Sequence, residues 1–100
     1  MRMSAGQLQG RAVIGSDGLA IGDVSNLYFD TETWEVTSIE LKFRKEIGRR
    51  LGVSGGPFKT PKITLPVKLV QSVSDAIVLT VPTGDLRSVM SQQGEHTAYH

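Results

Sequence analysis

An Asp-Gly pair between two short apolar runs constrains this chain more than any other feature. In "RAVIGSDGLAIGDV", Asp17 and Gly18 separate "AVI" from "LAIGDV". A tight reversal between extended segments needs positive φ, which glycine adopts without steric cost. The pair therefore predicts a hairpin, and with it an antiparallel sheet near the start of the chain. The same stretch carries Gly15, Gly18 and Gly22, which raises a rival reading as a phosphate-cradling loop. That reading fails on spacing. A dinucleotide fingerprint needs G-x-G-x-x-G between a strand and a helix, so that phosphate meets the helix N-terminus. Here the glycines are out of register, and the residues after Gly22 read as a strand.

The strand pattern continues. In "SNLYFD", Leu27 and Phe29 share one face and Tyr28 takes the other. The polar turn from Asp30 to Thr33 offers side chains that bond their own backbone. "WEVTSIELKF" is the strongest strand: Trp34 and Val36 have one parity, Ile39, Leu41 and Phe43 the other. A bulge near Thr37 and Ser38 would bring all five to one side and bend the strand toward closure of a barrel. "RKEIGRRLG" breaks the alternation, and Ile47 and Leu51, four apart among charges, predict a short basic helix ended by Gly52. "VSGGPFKTP" has the composition of a loop. "KITLPVKLV" alternates again, with Ile63, Leu65, Val67 and Leu69 inward and Pro66 at an edge or corner.

"AIVLTV" is apolar on both phases, so both its faces should be covered. Thr83 as N-cap, with Asp85 in the first turn, opens a short C-terminal helix whose Leu86, Val89 and Met90 could supply that cover. The expected fold is mainly β: a small barrel of about six short strands. A short basic helix comes after the third long strand, and a short helix ends a domain spanning residues 1–90. Residues 91–100 form a polar, flexible tail.

The chain argues against catalysis. With no cysteine among its 100 residues, it has no disulfide and no thiolate metal site. "GVSGGPFKT" ends like a Walker A loop, but Phe58 stands where that motif needs glycine, and Pro57 removes an amide donor. His96 and His100 lie in the polar tail without further ligands nearby. Asp30, Glu32 and Glu35 do not match a calcium loop. Nothing assembles a nucleophile, a base and an oxyanion site. No apolar run could span a bilayer, and "MRMSAGQLQG" lacks the core of a secretory signal, which together imply a soluble cytoplasmic protein.

Charge is segregated. Residues 1–40 carry two arginines against six acids, a net −4, whereas residues 41–70 carry eight Lys/Arg against Glu46, a net +7. The basic stretch Lys42 to Lys68 is a candidate contact surface for an acidic partner, set against the simpler reading of a solvated loop and helix. The isoelectric point falls below the basic range of nucleic-acid-binding domains, which argues against nucleic acid as the partner. Candidate partner-binding residues are Tyr28 and Val70 on outward phases, Phe58 in the loop, and Arg44, Lys45, Arg49 and Arg50 around the basic helix. Val78 is also outward and is assigned to cover by the C-terminal helix.

With these elements in place, "GRAVIGSDGLAIGDVSNLYFDTETWEVTSIEL" resembles the PRC-barrel domain family. Asp17-Gly18, Ile21-Gly22, Val24 and Phe29-Asp30 carry the likeness most closely, across residues 8–43. With the basic helix and "KITLPVKLVQSVSDAIVLTV", the whole chain except its tail looks like the small stand-alone archaeal members. The resemblance implies a small β-barrel with no catalytic residue and no cofactor. Asp17, Gly18, Gly22 and Asp30 would be turn and barrel-closing residues. It implies an adaptor in FtsZ-based cell division, recruited to the division site. Such an adaptor would pair with itself or a sister PRC-barrel protein and contact a SepF-like division protein, without inserting into the membrane. RimM, a ribosome-maturation protein with a related barrel, gives the alternative of an RNA- or ribosome-associated module. The second domain of RimM has no counterpart in these residues.

Overall fold

The computed structural model describes residues 2–52 and 61–89. Six strands form one sheet: β1 (Ala12–Ile14), β2 (Ala20–Asp30), β3 (Glu35–Phe43), β4 (Lys62–Pro66), β5 (Val70–Val73) and β6 (Ala76–Leu79). They lie in the order β4-β3-β2-β1-β6-β5, antiparallel throughout except for the parallel pair β1 and β6. A 3-10 turn at Val67–Leu69 joins the two outermost strands, so the sheet doubles back at its edges without those edges pairing. The fold is mainly β and compatible with a small PRC-type barrel, although the sheet is open.

The Asp-Gly turn forms as its sequence requires. Gly18 has φ +84°, and its amide donates to the Gly15 carbonyl, while Gly15 closes the loop onto Leu19. Gly22 is not at a turn but inside β2, opposite both Val13 and Phe43. Its role is close approach: a Cβ there would lie 2.9 Å from the Lys42 carbonyl carbon and 3.0 Å from Leu41 Cδ1. Two bulges then bend the long hairpin. Ser25 is extra on β2, between Val24 opposite Leu41 and Asn26 opposite Glu40. Thr37 is extra on β3, between Ser38 opposite Tyr28 and Val36 opposite Phe29, which is where the change of parity places it.

The core is aliphatic. Val13, Ile21, Leu41, Leu65, Ile77, Leu79 and Leu86 are wholly buried, each contributing about 1.5–3 kcal/mol on the usual area scale. Ile47 and Leu51 enter from the basic helix α2 (Lys45–Arg50), which carries Arg49 and Arg50 in its last turn and stops before Gly52. Inward alternation on β4 ends at Leu65. Val67 is exposed rather than inward, because the chain leaves the strand at Pro66 and the 3-10 corner rotates the side chains out of phase. An N-terminal turn of helix, α1 (Ala5–Leu8), is held by a capping box between Ser4 and Gln7. A strand-only reading of the first third passes over that signal.

The C-terminal segment begins with a 3-10 turn at Thr83–Asp85, and residues 86–89 are helical. Thr83 is not the N-cap; Pro82 holds that position, and Thr83 is buried. Its amide and hydroxyl both donate to Asp17, at 3.3 and 3.1 Å. The capping carboxylate therefore comes from the first hairpin rather than from the segment itself. Leu86 is buried and Val89 packs against the core, as the stripe requires, while Met90 lies outside the described residues.

Candidate partner-binding surface

The hairpin of β2 and β3 is longer than the sheet around it. β1 pairs with β2 only as far as Asp23, and β4 pairs with β3 only over Ser38 to Lys42. Beyond those limits the two strands run on as a ribbon, pairing Phe29 with Val36 and Asp30 with Glu35. Leu27 pairs with Ile39 on the core face, and the bulge at Thr37 returns Val36 to that same face, opposite Phe29. The apolar stripe thus continues past the end of the core. Phe29 is 51% exposed, Val36 41% and Trp34 74%.

The turn is built to present Trp34. Asp30 Oδ1 accepts the Glu32 amide at 2.7 Å, and the Asp30 carbonyl accepts the Trp34 amide at 2.7 Å. Trp34 sits at φ +60°, a left-handed conformation disfavoured for a bulky side chain. Its ring stacks on Phe29 with centroids 5.6 Å apart and planes 21° apart. Asp30, Glu32 and Glu35 are exposed at the same end of the ribbon, with Asp30 and Glu35 paired on the face opposite Phe29 and Val36. No described ion pair engages them.

The opposite face of the ribbon is polar. Glu40 is its centre: Ser25 Oγ donates to Oε1 at 2.7 Å, Asn26 Nδ2 to Oε1 at 3.3 Å and Tyr28 OH to Oε2 at 3.2 Å. The Ser25 bulge is what lets two consecutive side chains reach one carboxylate. Lys62 Nζ lies 3.9 Å away across the β3–β4 pair. The hydrogen bond from Ser25 is the chief reason the Glu40 carboxyl is held below its ordinary range. Burial opposes it, and Asn26, Tyr28 and the Lys62 charge assist. The hydrogen bond to Glu40, then its charge, then burial push the Tyr28 hydroxyl up.

The candidate residues do not converge. Tyr28, though 44% exposed, commits its hydroxyl to Glu40 and points away from Trp34. Arg44, Lys45, Arg49 and Arg50 are exposed at the far end of β3, about 25–30 Å from the tip at the usual rise per residue. Arg44 lies 4.0 Å from Asp23. Val70 packs partly buried against the core and offers little surface. Phe58 lies outside the described residues. Asp17 and Gly18 belong to the first hairpin, and Asp30 to the ribbon turn. Parity alone turns Phe29, Trp34 and Val36 inward. The contrary signal is the set of acids interleaved with them in "FDTETWEV".

No helix among the described residues is long and apolar enough to cross a membrane, and no cluster of metal-ligating side chains occurs among them. The PRC-barrel domain family matches residues 1–86. No curated protein matches. Among solved structures, RimM of Pseudomonas aeruginosa, a 16S ribosomal RNA processing protein, is similar at 16% identity and a TM-score of 0.45. The likeness covers 77% of this chain and 42% of that one, so the chain corresponds to less than half of RimM.

Proposed function

The chain belongs to the PRC-barrel domain family, and from that premise we propose that it is a non-enzymatic protein–protein adaptor whose contact surface is the end of the β2–β3 ribbon. One observation carries the reading. Phe29, Trp34 and Val36 form a continuous exposed apolar patch on a projecting hairpin, and no strand or helix among the described residues covers it. Aromatic side chains dominate the energy of protein contacts when a partner covers them.

The finer assignment, to FtsZ-based division with a sister PRC-barrel protein or a SepF-like protein as partner, rests on the likeness to small stand-alone archaeal members. It places the chain in the cytoplasm with recruitment to the division site. The test is sedimentation velocity of the purified chain, alone and mixed with those proteins from its own organism. The expected result is a complex formed by the wild type and lost in a Phe29→Ser/Trp34→Ser variant. A chain that stays monomeric at all concentrations and binds none of them rejects the assignment.

A second reading, an RNA- or ribosome-associated module, is favoured by one local feature. Lys42 and Lys62 are directly opposed on β3 and β4; Glu40 lies 3.9 Å from Lys62, which leaves Lys42 as the cation of the two with no described ion pair and able to meet a phosphate. Binding of this kind falls steeply with added salt. An RNA titration showing no salt-sensitive binding removes it.

A further inference from the structure

Resting on the adaptor reading, we infer that the ribbon end is a receptor for a basic segment of a partner protein, with an arginine stacked on Trp34. The inference comes from what surrounds the aromatic pair. Trp34 uses one ring face on Phe29 and is 74% exposed, so its other face is open. Tryptophan is the best aromatic acceptor of a cation, and guanidinium, being planar and weakly hydrated, is the cation that stacks on it.

Charge selects the same partner. Asp30, Glu32 and Glu35 share the ribbon end that carries the patch, and the sequence holds no lysine or arginine between Arg11 and Lys42. Asp30 uses one carboxylate oxygen for the turn, which leaves its other oxygen and the exposed carboxylates of Glu32 and Glu35 at the same ribbon end. The chain's own basic helix cannot neutralise them. It lies at the opposite end of β3, well beyond the screening length of about 8 Å at physiological salt. With Phe29 and Val36 on one face of the ribbon end and Asp30 and Glu35 on the other, an extended segment along the edge that alternates basic and aliphatic residues matches both faces. Its aliphatic side chains would cover Val36 and Phe29 and its arginines would reach the carboxylates. A neutral segment would leave these carboxylates unpaired, and an acidic one would be repelled.

Trp34 is the only tryptophan in the chain, so its emission reports this site directly. The probes are a synthetic peptide of alternating arginine and leucine and its counterparts with glutamate or serine in place of arginine. The arginine peptide is expected to shift Trp34 emission saturably, with affinity falling as salt rises. The double variant Glu32→Gln/Glu35→Gln, checked for its fold by circular dichroism, is expected to bind about tenfold more weakly, the size of two partly exposed charge pairs. Equal binding of the serine or glutamate peptide, or an unchanged affinity in the double variant, overturns the basic-segment inference while leaving the adaptor surface in place. Three further outcomes overturn it as well. One is no shift with any peptide. Another is a shift that grows with protein concentration alone, which would mean that a second copy is the occupant. The last is a shift on phosphatidylcholine–phosphatidylglycerol vesicles stronger than on the peptide. If, in addition, no protein partner is found by sedimentation, the adaptor reading itself falls.

Discussion

Asp17 and Thr83, 66 positions apart, are joined by two hydrogen bonds, amide to Oδ2 at 3.3 Å and hydroxyl to Oδ1 at 3.1 Å. The first hairpin thereby fixes the start of the segment whose Leu86 closes the core. Desolvation raises the Asp17 carboxyl, but the bonds from the Thr83 amide and hydroxyl and from the amides of Asp17 and Leu19 outweigh it. The group is held below its ordinary value of 3.8. A carboxyl depressed in the folded state contributes stability above its unfolded value and loses it as pH falls through the folded one. Asp17→Asn should therefore be less stable than the wild type at neutral pH, with the difference closing as pH drops below 3.8. Urea midpoints across that range measure it, and a gap unchanged in acid contradicts the linkage.

Gly22 tests the close approach of β2 and β3. A methyl group there meets the Lys42 main chain, which can move only by parting the strands. Gly22→Ala is expected to cost about 3 kcal/mol, the upper end for overpacking. Gly84→Ala, with nothing within 4 Å of the added carbon, should stay within about 0.5 kcal/mol of wild type. Thermal or denaturant unfolding of the two variants decides the point.

The sequence is most informative where a local rule and the tertiary structure agree. Asp17-Gly18 could only turn, Ile47 and Leu51 could only meet the core as one helical face, and the parity change in β3 required a bulge, which falls at Thr37. It misleads where the same rule holds but the barrel ends. Trp34 and Val36 follow the core parity, yet no strand or helix among the described residues reaches far enough to cover them. Thr83 misleads for a related reason: its best partner, Asp17, is local only in space. How far a strand outruns its neighbours is a property of the whole sheet, and alternation along one strand does not encode it.

Tyr28 and Glu40 give a titration that needs no partner. The hydrogen bond to Glu40 and the carboxylate charge raise the Tyr28 hydroxyl above its ordinary value of 10.0. Removing the charge in Glu40→Gln should return the Tyr28 ionisation toward that value. Ultraviolet difference titration, with Tyr28→Phe to assign the signal, checks it. No movement of the Tyr28 midpoint would show that the 3.2 Å bond is not formed in solution.

Trp34 separates what the fold needs from what the surface offers. Its φ of +60° costs about 1 kcal/mol for any residue with a Cβ, and its stack on Phe29 returns about the same. Trp34→Ala loses the stack and keeps the strain, whereas Trp34→Gly loses both. The glycine variant should thus be the more stable of the two by about 1 kcal/mol and close to wild type. Chemical denaturation resolves a difference of that size. Both variants should lose partner binding alike, because each removes the exposed ring. A glycine variant less stable than the alanine one would mean that the turn is not held in the left-handed conformation, and the presentation of Trp34 would need another explanation.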